Sequence, residues 1–358
     1  MAGDARGNTW PRSGEADALL ALKAAARAAP GWWAHRAHVL ERAVEALVSD
    51  PDPGASVATT LGLEPAELAA SQADLADVLR LALRAGADAR GELAIVAPHW
   101  SGLVRDSAQS VLRALASGAC VIAVSDPALP MAMQAVAGAL AHADLPAGAF
   151  ALVHDDGETT LAALLEHATG GVFVGSGTQD RVRRMRVLAE RNVALRTELV
   201  EHCNRTAVVR QEDDVRSAAH RIAHAAFGRA GALSGQAPGQ VGRVACHERA
   251  FSSFTAELLA HFDADTTPAI PMRAAATLLH GARARDLGLD EGATLLRSGA
   301  AGGVLPIVFT NVEEYMRLAA LSRPAPILCL MRATSDAAAE ELRERLDHSP
   351  AAEDLAAE

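Results

Sequence analysis

A few places in this chain set reactive side chains at spacings that could do chemistry. Gly175-Ser176 follows a short apolar run, Gly171-Val172-Phe173-Val174, and precedes a polar stretch. Backbone amides and a hydroxyl at a strand-to-helix turn form a generic anion site, so Ser176 is a candidate phosphate ligand. Glycine and serine are also ordinary turn residues at such a junction. Arg181, Arg183, Arg184 and Arg186 crowd the next stretch, as positive charge beside that turn or as a solvated helix face. His202 and Cys203 adjoin, an imidazole beside a thiol. Neighbours on a strand point to opposite faces, so the two cannot pair without a turn, and a packed thiol is the competing reading of Cys203. His220 and His224 stand one helical turn apart, a metal-compatible spacing. No glutamate lies between them in the HExxH manner and Arg221 adjoins, so an exposed helix face is expected there and no metal site.

Composition narrows the classes. With 358 residues, 50% hydrophobic and 22% charged, the chain has the profile of a soluble globular protein and the length for two domains. A net charge of −11 argues against a nucleic-acid binder, which wants a basic face. No apolar run approaches the roughly 18 residues that span a bilayer. Met1 to Asp17 mixes both charge signs without an apolar core, so no secretory signal is expected and the cytoplasm is the expected location. Cys120, Cys203, Cys246 and Cys329 have neither disulfide nor metal spacing, and all but Cys203 sit in apolar, strand-like contexts. Lys23 is the sole lysine.

The elements that would position these residues follow from periodicity. Leu19, Leu20, Leu22, Ala26 and then Val39, Leu40, Ala43, Leu47 recur at helical intervals on either side of the turn signal Ala29-Pro30-Gly31. A Pro/Asp/Gly-rich loop over Asp50 to Gly54 and a helix from about Pro65 to Leu83 follow. From Leu93 the pattern becomes strands at Leu93–Ala97, Cys120–Val124, Phe150–Val153 and Gly171–Val174, separated by helices near Ala108–Ala116, Met131–Ala143 and Thr160–His167. Such alternation predicts a parallel sheet with right-handed crossovers. A second series has strands near Val208-Val209, Gly242–Cys246 and Val304–Val308, and helices at Asp214–Phe227, Phe251–Phe262 and Val312–Leu321. A charged helix and tail over Ser335–Glu358 closes the chain.

Several segments, in order from about Ala18 to Ala320, resemble the aldehyde dehydrogenases. Ala143-Asp144-Leu145-Pro146-Ala147-Gly148-Ala149-Phe150 resembles AGLPxGVF, and Phe173-Val174-Gly175-Ser176 resembles FTGS. Thr197-Glu198-Leu199 resembles the start of LELGG, whose glutamate is the family's general base. Arg243-Val244, His247-Glu248 and Phe251-Ser252-Ser253-Phe254 resemble RVFVHExxYDxF, and Val304-Leu305-Pro306-Ile307 resembles VLPV. The resemblance implies an α/β protein: a Rossmann-like cofactor-type domain over 15–200, a second, catalytic-type α/β domain over 201–332, and a C-terminal helix and tail over 333–358. The family's oligomerisation arm is expected to be missing. Only a short stretch links Arg84 to Leu93, and the arm's closing segment has no counterpart after about Met331.

The same resemblance lays the family's chemistry over this sequence. The nucleophilic cysteine falls on Pro238, which has no nucleophilic side chain. The oxyanion-stabilising asparagine falls on Trp100, a loss worth roughly 2.7–4 kcal/mol of barrier. The cofactor-binding lysine falls on Val124, the ribose-binding glutamate on Gly299, its phenylalanine on Ala301, and the two glycines after the base on Val200 and Glu201. Glu198 survives as the retained catalytic candidate, with Cys203 second; Gly175 and Ser176 survive as cofactor-binding candidates. The expectation is a protein inactive as a dehydrogenase that acts by binding, as an accessory subunit to a full-length relative or another protein, without nucleic acid or membrane. No cofactor is expected, and NAD or NADP if any. Two alternatives stand beside it. One is a repurposed enzyme with Glu198 as general base in an apolar cleft, where burial would raise its pKa. The other is an NAD(P)-dependent aldehyde oxidoreductase with Cys203 as relocated nucleophile.

Overall fold

The computed structural model describes residues 2–3, 9–10, 12–28, 36–49, 92–99, 103–127, 130–143, 145–155, 159–202, 204–227, 239–264, 275–297, 306–320 and 326–348. The expected loop at 50–54 and helix at 65–83 lie outside them, as do Cys203, Pro238, Trp100, Gly299 and Ala301. The chain divides into two compact units, Met1–Glu201 and His202–Glu358.

The first unit is built on five parallel strands: β1 (Leu93–Ala97), β2 (Cys120–Ser125), β3 (Phe150–His154), β4 (Gly171–Gly177) and β5 (Leu195–Glu201), in the order β3-β2-β1-β4-β5. β1 and β2 read as continuous apolar runs because helices cover both faces of a parallel sheet, and Ile95, Val96, Val121 and Ile122 have no exposed surface. The helices are α1 (Glu15–Ala28), α2 (Arg36–Ser49), α3 (Leu103–Ala116), α4 (Pro130–His142), α5 (Thr159–His167) and α6 (Gln179–Ala189). α1 packs on α5 and β2, and α2 packs on α4. From β1 the chain moves outward through β2 to β3, then returns to place β4 on the other side of β1. The crevice between the C-terminal ends of β1 and β4 is therefore the switch point, where open α/β sheets take their ligands.

The second unit has the order β8-β9-β10-β7-β6, from β6 (Arg205–Val209), β7 (Val241–His247), β8 (Thr294–Arg297), β9 (Ile307–Thr310) and β10 (Ile327–Ala333). β8 is antiparallel to β9 and the rest are parallel. The side chains of β10 alternate between two cores. Leu328 and Leu330 join Phe251, Phe254 and Leu258 beneath α7 (Val215–Phe227) and α8 (Glu248–Ala264). Cys329 and Met331 join Phe309, Leu342 and Leu346 on the opposite face. That face is closed by α9 (Ala275–Asp290), α10 (Arg317–Ala320) and α11 (Asp336–His348).

Two expectations for this unit change. The helix expected over Val312–Leu321 starts only at Arg317, and α10 covers four of the described residues. Asn311 leaves β9 with φ of 54° and bonds Thr294 Oγ1, and a turn follows in which Met316 N–H donates to Glu313 O. The Glu291 carboxylate then accepts from the backbone N–H groups of Arg317 and Leu318, capping α10 from another element. The strand expected from Val304 begins at Ile307, directly after Pro306.

The segment from Ser335 does not stand apart. α11 lies along the edge strand β6, and its side chains answer that strand's backbone. Asp347 Oδ1 accepts from Thr206 N–H at 3.0 Å, Asp336 Oδ1 from Gln211 N–H at 2.9 Å, and Arg210 pairs with Glu340 at 2.6 Å. Asp347 also lies 3.5 Å from the guanidinium of Arg243, whose side chain is 5% exposed. Arg243 donates to Ala319 O at 3.0 Å and to Asn204 O as well.

Candidate functional site at the strand ends of the first sheet

The crevice is built from the residues that leave each strand. β1 ends in Pro98-His99, β2 in Ser125-Asp126, β3 in His154-Asp155 and β4 in Ser176-Gly177. The Ser176 hydroxyl accepts the His99 backbone N–H at 3.1 Å, tying β4 to the end of β1. Gly175 is small for a packing reason: a Cβ there would lie 2.8 Å from Leu199 Cδ2 and 3.0 Å from Met185 Sδ.

Arg181, in the first turn of α6, departs from the expected solvated helix face. Its Nη1 donates to Asp126 Oδ2 at 2.9 Å and its Nη2 to Pro98 O at 3.4 Å, so one guanidinium ties the start of α6 to the residues that leave β1 and β2. The pair is largely withdrawn from water, with side-chain exposures of 19% and 7%. Sequence reasoning missed this contact because Arg181 and Asp126 are 55 residues apart. The signal was present: an arginine one turn into the helix after β4, opposite an aspartate that ends a strand one place beyond β1. Among the rest of the cluster, Arg184 and Arg186 are exposed and Arg183 is half-buried.

Further along the crevice, Ser125 Oγ lies 2.7 Å from His154 Nδ1 across adjacent strands. Burial lowers the pKa of His154 and favours the neutral ring. Ser13, just before α1, closes this end: its N–H donates to His154 O at 2.8 Å and its Oγ accepts from His154 N–H at 3.0 Å. The carboxylate of Asp155 accepts the Thr160 N–H at 3.1 Å, capping α5.

Glu198 is not in an apolar cleft. It lies on the edge strand β5 with its side chain 57% exposed, 3.3 Å from Arg196 two residues away on the same face. β5 is an edge strand on which Arg196, Thr197 and Val200 are exposed as well, so neither face is packed at this point. Of the positions that carry the family's other groups, Val124 is buried in β2 and Val200 is exposed on β5. The thiols of Cys120, Cys246 and Cys329 are buried, and desolvation pushes all of them up, Cys246 and Cys329 to about 12. None is a thiolate near neutrality. His220 packs edge-on against His261 across α7 and α8, with ring centroids 5.1 Å apart. No helix among the described residues is long and apolar enough to cross a membrane.

A parallel sheet with its order reversed at β1 and β4, joined to a second α/β unit, defines a Rossmann-type two-domain protein. The chain belongs to the aldehyde dehydrogenase family, whose model matches residues 4–348. No curated protein sequence matches it. Among solved structures it resembles a NAD-dependent benzaldehyde dehydrogenase from Corynebacterium glutamicum, at 22% identity and a TM-score of 0.81, covering 93% of this chain and 79% of that one. It also resembles an NADP-dependent glyceraldehyde-3-phosphate dehydrogenase from Bacillus halodurans C-125 complexed with NADP, at 19% identity and a TM-score of 0.82, covering 96% and 79%. A NAD-dependent aldehyde dehydrogenase from Sinorhizobium meliloti matches at 20% identity and a TM-score of 0.81, covering 96% and 75%. At these identities the likeness is one of fold.

Proposed function

We propose that this family member does not oxidise aldehydes and acts by binding, as an accessory subunit to a full-length relative or another protein. The Arg181–Asp126 pair carries the reading. It places the crevice's strongest cation and anion against each other, so both are committed to the protein's own strand ends. The groups available to a dinucleotide do not fit it. The position of the family's cofactor lysine is Val124, turned into the core, which leaves the Ser176 O–H as a single neutral donor there. The sequence adds Pro238 at the nucleophile's position and Trp100 at the oxyanion donor's. The exposed, Arg196-paired Glu198 does not favour the general-base alternative.

The test is a turnover assay of the purified full chain with short and aromatic aldehydes and NAD or NADP, alongside calorimetry of each dinucleotide. No turnover and dissociation constants in the millimolar range are expected, since each lost charged contact costs about 1.5–3 kcal/mol. Turnover abolished by Cys203→Ala would replace this reading with that of a dehydrogenase using a relocated nucleophile. Co-purification with a co-expressed full-length aldehyde dehydrogenase tests the accessory role.

A further inference from the structure

We propose that the first unit carries a second ligand site, at the N-terminal edge of its sheet, for a monocarboxylate with an apolar tail. A cavity of about 610 Å³ opens there, on the opposite sheet edge from the crevice described above. That volume lies within the range of small-molecule sites. Its lining comes from α1, from the starts of β1, β2 and β4, from β5 and from the end of α5.

The sequence explains why the space is open. β4 begins at Gly171, preceded by Gly170, with φ of +114° and +151°, and a Cβ on Gly171 would run into the carbonyl oxygen of Leu93. Only glycine serves there, so this strand starts without side chains. Ala26 faces it from α1, and Leu22, Leu93 and Cys120 supply an apolar floor.

Charge sets the class of ligand. Lys23, Arg196 and His167 stand on the rim with one acid of the lining, Glu92, while Glu198 and Glu15 flank Arg196 and His167. Among the described residues Lys23 has no acidic partner. Arg196 and His167 are engaged, among the described residues, in exposed pairs, with Glu198 at 3.3 Å and Glu15 at 3.8 Å. Exposed pairs of this kind hold weakly, and a carboxylate can take the place of either acid. The carbonyl end of α5, Glu92, Glu198 and Glu15 work against an anion, so binding rests on a head group that displaces Glu198 and meets Arg196 and Lys23 directly. An apolar floor beneath a cationic rim fits a carboxylate head on a short hydrocarbon better than a fully hydrated anion.

The sole lysine makes the test specific. Reductive ¹³C-methylation of the full chain labels only Lys23 and the terminal amine and keeps the lysine charged. Titration with octanoate should move the Lys23 signal saturably. Octanol, with the same tail and no charge, and inorganic phosphate, with charge and no tail, should each bind at least about tenfold more weakly, the effect of losing one charge-assisted or apolar contact. Arg196→Gln, on an exposed side chain, should weaken octanoate by about tenfold as well. Absence of a saturable shift with octanoate overturns the proposal. Equal binding of octanol, or equal binding of phosphate, overturns the assignment of ligand class. Dinucleotide binding at the opposite edge of the sheet leaves this outcome unaffected, so the two readings stand or fall separately.

Discussion

Replacing Asp347 by alanine removes one carboxylate that serves two elements. Its Oδ1 accepts the Thr206 N–H at 3.0 Å on edge strand β6 and lies 3.5 Å from the guanidinium of Arg243. The Thr206 contact is a charge-assisted hydrogen bond, of a kind worth about 1.5–3 kcal/mol. Arg243 keeps its bonds to Ala319 O and Asn204 O, so its loss is limited to the longer ion pair. Together these give about 2–3 kcal/mol, which in a unit of this size lowers Tm by roughly 4–12 °C. Asp347→Asn keeps an acceptor without the charge and should lose about half as much. Glu341→Ala, on the same helix with a 70% exposed side chain, should shift stability by less than about 0.5 kcal/mol. Calorimetric scans of the three variants, with amide exchange at Thr206, measure the effect. If Asp347→Ala and Glu341→Ala melt together and Thr206 exchange is unchanged, the helix does not cap the strand and the argument fails.

Arg181→Ala removes the guanidinium from the largely buried Asp126 carboxylate and should destabilise the first unit by about 1.5–3 kcal/mol, seen as an early transition on denaturation. His154, whose folded pKa is depressed by burial, stays neutral in the native state while the unfolded chain binds a proton near the ordinary value of 6.5. Its contribution is therefore full above that value and is lost as pH falls toward the folded pKa; His154→Gln should flatten this part of the pH–stability curve. Cys120, Cys246 and Cys329, buried and with raised pKa values, should resist Ellman's reagent in the native protein and react only after denaturation. Rapid native reaction mapped to Cys246 would show that the second core is open.

The first sheet was legible because its strands are unbroken apolar runs between turn signals. Leu93–Ala97 stands where the sequence predicts it, and Cys120–Ser125 extends the expected strand by one residue. The second sheet was less so. β8 is only Thr294-Leu295-Leu296-Arg297, too short for its alternation to register. The apolar context of Cys329 announces a strand, but its place at the centre of the sheet follows from topology. α10 is shorter than its pattern because Asn311 and the cap from Glu291 fix the turn before it, and both act through tertiary contacts. At the candidate site, local sequence marked Gly175-Ser176 and Glu198. Arg181's partner and Glu198's exposure both depend on strand order, which no local window contains.

The capping of β6 has a consequence for how these molecules can meet. At Thr206 the Asp347 carboxylate of α11 fills the place that a neighbouring strand's carbonyl would take, and Asp336 does the same for Gln211 just past the strand. The other margin of that sheet, β8, is antiparallel and irregular between Leu295 and Arg297. A foreign strand that approaches β6 at Thr206 meets a carboxylate where it would offer a carbonyl, so pairing there has first to displace Asp347 and with it the end of α11.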